Sequence, residues 1–145
     1  MNILISIEKQ YFDEIKTGIK KFEYRRRFID GPCRAYLYIT APFKSIMGYI
    51  ELDAPISGTP KEISELAETH RMGIGNEIYE YMKDSVRGYE IPIKKLVEIE
   101  NISLEYLQKN FGLTAPQGYI ILDKKPELLA KLESLEKRSQ SIGIV

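Results

Sequence analysis

The sequence predicts an α+β domain, a small mixed β-barrel with helices packed around it. Three observations predict this. The chain opens strand–helix–strand, its short strands outnumber its helices, and the order β-α-β-β-β-αα-β-α-β-α lacks the βαβ alternation of a doubly wound sheet. At 145 residues the chain is the size of one domain and long enough to bury a core without staples. No repeat, low-complexity run or linker divides it, so we read one domain over 1–138 and a flexible tail over 139–145.

Each element has its own signal. Ile3, Ile5 and Ile7 alternate on one face of a first strand, 2–7. Tyr11, Phe12 and Ile15 then recur at helical spacing, a helix over 8–17 that Gly18 ends. Residues 20–27 form a second strand, and Asp30-Gly31-Pro32 a turn. In a third strand, 33–40, Tyr36 and Tyr38 face one way and Ala35, Leu37 and Ile39 the other. Ala41-Pro42-Phe43-Lys44 connects, because a residue before proline is pushed out of helical space. A fourth strand, 45–53, carries Gly48 as a bulge or a point of close approach.

Thr59-Pro60-Lys61-Glu62 starts a helix with a capping box and a proline at its first position. Ile63, Leu66 and Ala67 supply its buried stripe, and Met72-Gly73-Ile74-Gly75 breaks it. Asn76 caps a second helix carrying Ile78, Tyr81 and Met82. With six carboxylates and three Lys/Arg over 60–84, the pair reads as an acidic two-helix insertion. Residues 88–100 form a long strand in which Pro92 marks an edge or a bulge. A short helix over 103–110 stops at Gly112, and 118–122 is the final strand. Pro126 opens a last helix with Leu128, Leu132 and Leu135 on one face. The barrel is thus expected to have five or six strands.

Composition excludes several classes. The 21 Lys+Arg balance 21 Asp+Glu, which excludes bulk coating of nucleic acid and leaves room for a small basic cleft. Cys33 is the sole cysteine, so no internal disulfide forms. Glu8 and Lys9 interrupt the opening apolar run, so no signal peptide is read, and no run is long enough to span a bilayer. A cytoplasmic location without a membrane partner is expected. One His and one Cys cannot furnish a zinc site by the usual ligand rules, so neither metal nor cofactor is expected. Gly73-Ile74-Gly75 is too short for a dinucleotide fingerprint, and no strand precedes it. A Cys33–His70 catalytic pair is set aside, because Cys33 follows a turn and reads as a small core hydrophobe.

One stretch stands out: Gly18-Ile19-Lys20-Lys21-Phe22-Glu23-Tyr24-Arg25-Arg26-Arg27, with five cations and one carboxylate. In a neutral protein this creates a local field. On a strand over 20–27, Lys20, Phe22, Tyr24 and Arg26 would point one way and Lys21, Glu23, Arg25 and Arg27 the other. Two readings follow. The segment is a solvated edge whose charges block aggregation, or a basic wall beside aromatic rings, suited to phosphate plus base. Glu23 and Arg25 could pair, or Glu23 could accept from a base amino group. The lone carboxylate among five cations is expected to stay ionised.

Gly18 to Arg25 resembles the G-x-K-x-x-E-x-R signature of ASCH domains, relatives of PUA domains. The resemblance extends over Ile3 to Tyr11, Tyr36-Leu37-Tyr38-Ile39-Thr40-Ala41-Pro42 with Ile46-Met47-Gly48, Ser57-Gly58-Thr59-Pro60, Gly88-Tyr89-Glu90-Ile91 and Ala115-Pro116-Gln117-Gly118-Tyr119. It implies a PUA-like mixed β-barrel and nucleic-acid association, most often RNA, in a transcription- or translation-linked regulator. On this reading Lys20, Lys21, Tyr24, Arg25, Arg26, Tyr38 and Lys44 are the nucleic-acid-binding residues, with RNA or a nucleoside as partner. Some members of the family are enzymes. One branch removes the acetyl group of N4-acetylcytidine with a Lys and a Thr of the signature and a Glu elsewhere, and ribonuclease activity is ascribed to others. For such a hydrolase Lys20 and Glu23 are the catalytic candidates. Lys20 matches the catalytic Lys, but Glu23 stands where that branch has its Thr and offers no hydroxyl nucleophile. A third reading is a protein-interaction domain acting through the acidic helices of 60–84. Oligomeric state is left open.

Overall fold

The apolar alternation read from the sequence lays down a curled mixed sheet in a computed structural model, which describes residues 1–136. Its elements in chain order are β1 (Asn2–Ile7), α1 (Lys9–Lys16), β2 (Phe22–Arg25), β3 (Cys33–Ile39), β4 (Ser45–Leu52), β5 (Ile56–Gly58), α2 (Pro60–His70), α3 (Gly75–Met82), β6 (Gly88–Ser103), α4 (Leu104–Phe111), β7 (Tyr119–Ile121) and α5 (Pro126–Glu133). A single 3₁₀ turn, Leu122–Lys124, precedes α5. The strand order is β2-β6-β4-β3-β1-β7, with β5 on β6. β1 and β3 are parallel, and the other pairs are antiparallel. The tail read over 139–145 lies outside the described residues.

The 16-residue β6 does the curling. Its start lies between β2 and β5, with Glu90 opposite both Tyr24 and Ile56, and its remainder pairs with β4. Register shifts at Leu37/Tyr38, Ile46/Gly48 and Glu51/Leu52 add local twist and bend the sheet into a half-barrel. Gly48 serves both purposes anticipated for it. It sits at a shift, and a Cβ there would stand 2.7 Å from the Val97 carbonyl oxygen.

Burial on both faces fixes the layers. Ile3, Ile5 and Ile7 of β1 join Ala35, Leu37 and Ile39 of β3, Ile91 of β6 and Phe12 and Ile15 of α1 in one core. Leu4, Tyr36, Tyr38 and Tyr49 face the other way, under Leu107 of α4 and Leu128 and Leu132 of α5. A third cluster, Ile63, Ala67, Ile78 and Met82, joins α2 to α3, with Tyr24 packed against it. Cys33 is buried in the first core, and burial pushes its thiol up to about 11. It packs as the small hydrophobe expected, whereas His70 stands at the end of α2.

Several boundaries differ from expectation. The described residues form seven strands rather than five or six, because the three residues of β5 carry no alternation. β2 is four residues, Phe22–Arg25, not the eight of 20–27. Thr59 and Glu62 form the predicted capping box. Asn76 does not cap α3; Glu68 accepts instead from the backbone N–H of Gly73 and Gly75. The acidic two-helix insertion read over 60–84 packs as a wall against β2 and β6.

Candidate functional site

The site begins where α1 ends. Gly18 adopts φ +83°, and the N–H groups of Ile19 and Lys20 both donate to the Glu14 carbonyl, which turns the chain sharply into β2. Lys20 lies before the strand, so strand alternation does not set its direction. Its Nζ stands 3.1 Å from Glu23 Oε1. Within β2, Glu23 and Arg25 share a side, and Arg25 Nε donates to Glu23 Oε2 at 2.8 Å. Arg25 Nη2 donates to the Ser6 carbonyl at 2.9 Å, tying β2 to β1.

Glu23 is only 7 % exposed. Burial alone would push its carboxyl up. The Arg25 and Lys20 charges and their hydrogen bonds outweigh that and hold it below the usual carboxylate range. A buried anion is tolerated here because two cations face it.

These three residues line a cleft of about 390 Å³ between β1, α1, β2 and the α2–α3 pair. That is small-molecule size. Tyr11, Tyr24 and Tyr81 give it aromatic walls. Lys20 Nζ lies 5.3 Å from the Tyr11 ring centre and 5.6 Å from that of Tyr24. Arg71 pairs with Glu14 at 3.2 Å, linking the end of α2 to α1 across it. The cleft is not the basic wall suggested by the segment alone. Four carboxylates (Glu8, Glu14, Glu23 and Glu77) line it with three cations (Lys20, Arg25 and Arg71). The additional acids come from the start of α1 (Glu8 just before it), from α1 itself (Glu14) and from α3 (Glu77), which only the fold brings there.

The structure gathers Lys20, Glu23, Tyr24 and Arg25 at this cleft and disperses the other candidates. Lys21 is exposed beside His70 in a second depression. Arg26 is exposed in an adjoining groove, its guanidinium 4.9 Å from the Tyr81 ring centre. Tyr38 is a correction: it is 3 % exposed under α4 and α5, on the wrong face of the sheet, and offers no ring to a base. Lys44 is exposed in the β3–β4 turn and does not line the cleft.

Sequence reasoning missed Glu90. It is fully buried, accepts from the Tyr24 hydroxyl at 2.8 Å, and stands 3.2 Å from His70 Nε2. Phe22 stacks on His70 with ring centres 4.2 Å apart. Burial, then the bond to Glu90, pushes the Tyr24 phenol far up. Among the described residues no group of His, Cys, Asp and Glu is placed to hold a metal ion, and no helix is long and apolar enough to cross a membrane.

No protein-family model matches the chain, and no curated protein matches it. Half-barrel and cleft together define a class, an α+β half-barrel domain with a cleft at the helix-to-strand turn. The solved structures narrow the class. An ASCH protein from Zymomonas mobilis aligns with a TM-score of 0.72 at 20% identity, covering 89% of this chain and 94% of that one. A variant of it with one serine changed to alanine aligns at 0.73, with the same identity and coverage. Another, with one tyrosine changed to phenylalanine, aligns at 0.72 and 19% identity, over 89% of this chain and 96% of that one. The fold is that of ASCH domains, as the Gly18–Arg25 signature led us to expect.

Proposed function

We propose that this domain binds single-stranded or modified RNA by taking one unpaired base into the cleft beside Glu23. The observation that carries the reading is a buried carboxylate, paired with two cations, lining an aromatic-walled cleft. Such a carboxylate accepts from a base amino group, and its two oxygens have lone pairs beyond those used by Lys20 and Arg25. The Lys20 ammonium has three donors, and Glu23 is its one ion-pair partner among the described residues, so it can also donate to a base carbonyl. Tyr11 and Tyr81 offer ring faces for stacking. Lys20 and Glu23 offset one another here and act as fixed donor and acceptor.

The test is equilibrium binding of short single-stranded RNAs that differ at one position, cytidine against uridine. A reader of the amino group prefers cytidine by about tenfold, the worth of one charge-assisted hydrogen bond. Glu23→Gln should erase most of that preference while general RNA affinity stays equal or rises. Equal binding of both RNAs by both proteins would refute the reading. Turnover of N4-acetylcytidine that falls in Glu23→Gln with binding retained would replace it with the hydrolase.

A further inference from the structure

We infer that the ligand is a continuous nucleic-acid strand that runs along β2 and presents an internal base to the cleft, its phosphates held by cationic depressions at both ends of that strand. This rests on the base-reading proposal and adds the path of the backbone.

The charge is partitioned. The cleft is slightly acidic in its lining, but each of its two flanks is cationic without a carboxylate. At the start of β2, a depression of about 310 Å³ is lined by Lys20, Lys21, His70 and Arg71 and shares Lys20, Tyr24 and Arg71 with the cleft. At the end of β2, a groove of about 470 Å³ is lined by Arg25, Arg26 and Arg27 and shares Arg25 and Tyr81 with the cleft. The three spaces therefore adjoin one another through these shared walls, with the cleft between the two cationic flanks. Lys21, Arg26 and Arg27 are exposed, and none of them is in a salt bridge among the described residues.

Chemistry selects the ligand. A free nucleoside has no phosphate and would use neither flank. A terminal nucleotide would use one. A strand with phosphates on both sides of the inserted base uses both. Guanidinium forks match phosphate oxygens, and the exposed Tyr119 ring beside Arg27 gives a neighbouring base a face to stack on. From Lys21 to Arg26 the chain reaches at most about 17 Å, so the contacts are few. That agrees with a protein of zero net charge.

The experiment measures affinity against salt for free cytidine, for pentamers with cytidine at the middle or at either end, for the middle abasic pentamer, and for a glutamate pentapeptide. Proteins are wild type, Lys21→Gln, and Arg26→Gln with Arg27→Gln. The middle-cytidine pentamer should bind tightest. Its salt slope should fall by about 0.7 for Lys21→Gln and about 1.4 for the arginine pair. One flank's change should weaken the 5′-terminal cytidine RNA more and the other's the 3′-terminal one, with much smaller losses for free cytidine. Equal losses on nucleoside and pentamer, both flanks acting on the same half of the strand, or unchanged slopes would overturn the track. Arginine-dependent binding of the glutamate peptide as tight as the pentamer's would overturn the nucleic-acid assignment. The base-reading proposal fails separately: the abasic and cytidine pentamers would then bind alike while both slopes still fell in the variants.

Discussion

Glu23 and Glu90 are buried carboxylates on paired strands, one register step apart, with Glu23 opposite Ile91 and Tyr24 opposite Glu90. That single step puts them on opposite faces. Glu23 faces the cleft and is held by two full positive charges, Lys20 and Arg25. Glu90 faces α2 and is held by a phenol and an imidazole. The difference separates two ways of holding a buried carboxylate. Cationic partners let a carboxylate stay ionised at the wall of an open site, where a ligand can use it. Hydrogen-bond partners on a helix and a neighbouring strand make a carboxylate a fastener, here between α2 and the β2–β6 pair.

The comparison breaks most visibly on deletion. Glu23→Ala leaves Lys20 and Arg25, 11% and 17% exposed at the side chain, without the anion that pairs with both. Loss of about 3–5 kcal/mol in urea unfolding is expected for an ion pair broken on one side. Replacing Lys20 and Arg25 by Met in the same chain should restore most of it, since removing all the charges leaves none uncompensated. Glu90→Gln, which keeps volume and can still accept one bond, should cost less, about 1–2 kcal/mol. A larger loss from Glu90→Gln than from Glu23→Ala would reverse the assignment of charge-held and hydrogen-bond-held.

Acid sharpens the contrast next. The Glu23 carboxyl is lowered in the folded state, so its contribution is complete above the ordinary value of about 4.5 and is lost as pH falls through the lower folded value. The stability gap between wild type and Glu23→Gln should be widest near neutral pH and close progressively below about pH 4.5. Melting temperatures of both proteins across that range check it. A gap of constant width would mean that Glu23 is not held ionised by its two neighbours.

The two carboxylates also mark how far the sequence could be read. Glu23 was visible because its partners lie within three residues of it, inside one contiguous signature. Glu90 was not, because Tyr24 lies 66 residues away and His70 20 residues away on a helix. Only the β2–β6 register brings them together, and register is a long-range property. The strand over 33–40 was legible in its alternation, yet Tyr38 was assigned to the ligand. Alternation separates two faces but does not say that α4 and α5 cover the one bearing Tyr36 and Tyr38. Lys20 was given the wrong direction for a local reason. Strand parity was extended through a turn, and β2 starts two residues later. β5 is too short to show any period.

The smallest expected effect probes the one residue that touches both sides. The Tyr24 ring lines the cleft while its hydroxyl donates to Glu90. Tyr24→Phe keeps the ring and removes only that bond, leaving Glu90 with His70. The cost should be about 1 kcal/mol, the net worth of one hydrogen bond with its acceptor still partnered. Base preference should follow Glu23, not the phenol, so the cytidine-over-uridine ratio should change far less than in Glu23→Gln. Alkali supplies the sign. The phenol is raised in the folded state, so its contribution is complete below the ordinary value of 10.0 and is lost as pH rises beyond it. Wild type and Tyr24→Phe should therefore converge in stability above about pH 10. If Tyr24→Phe instead abolished the base preference at unchanged stability, the hydroxyl would belong to the cleft, and Glu90 would be part of the reading site.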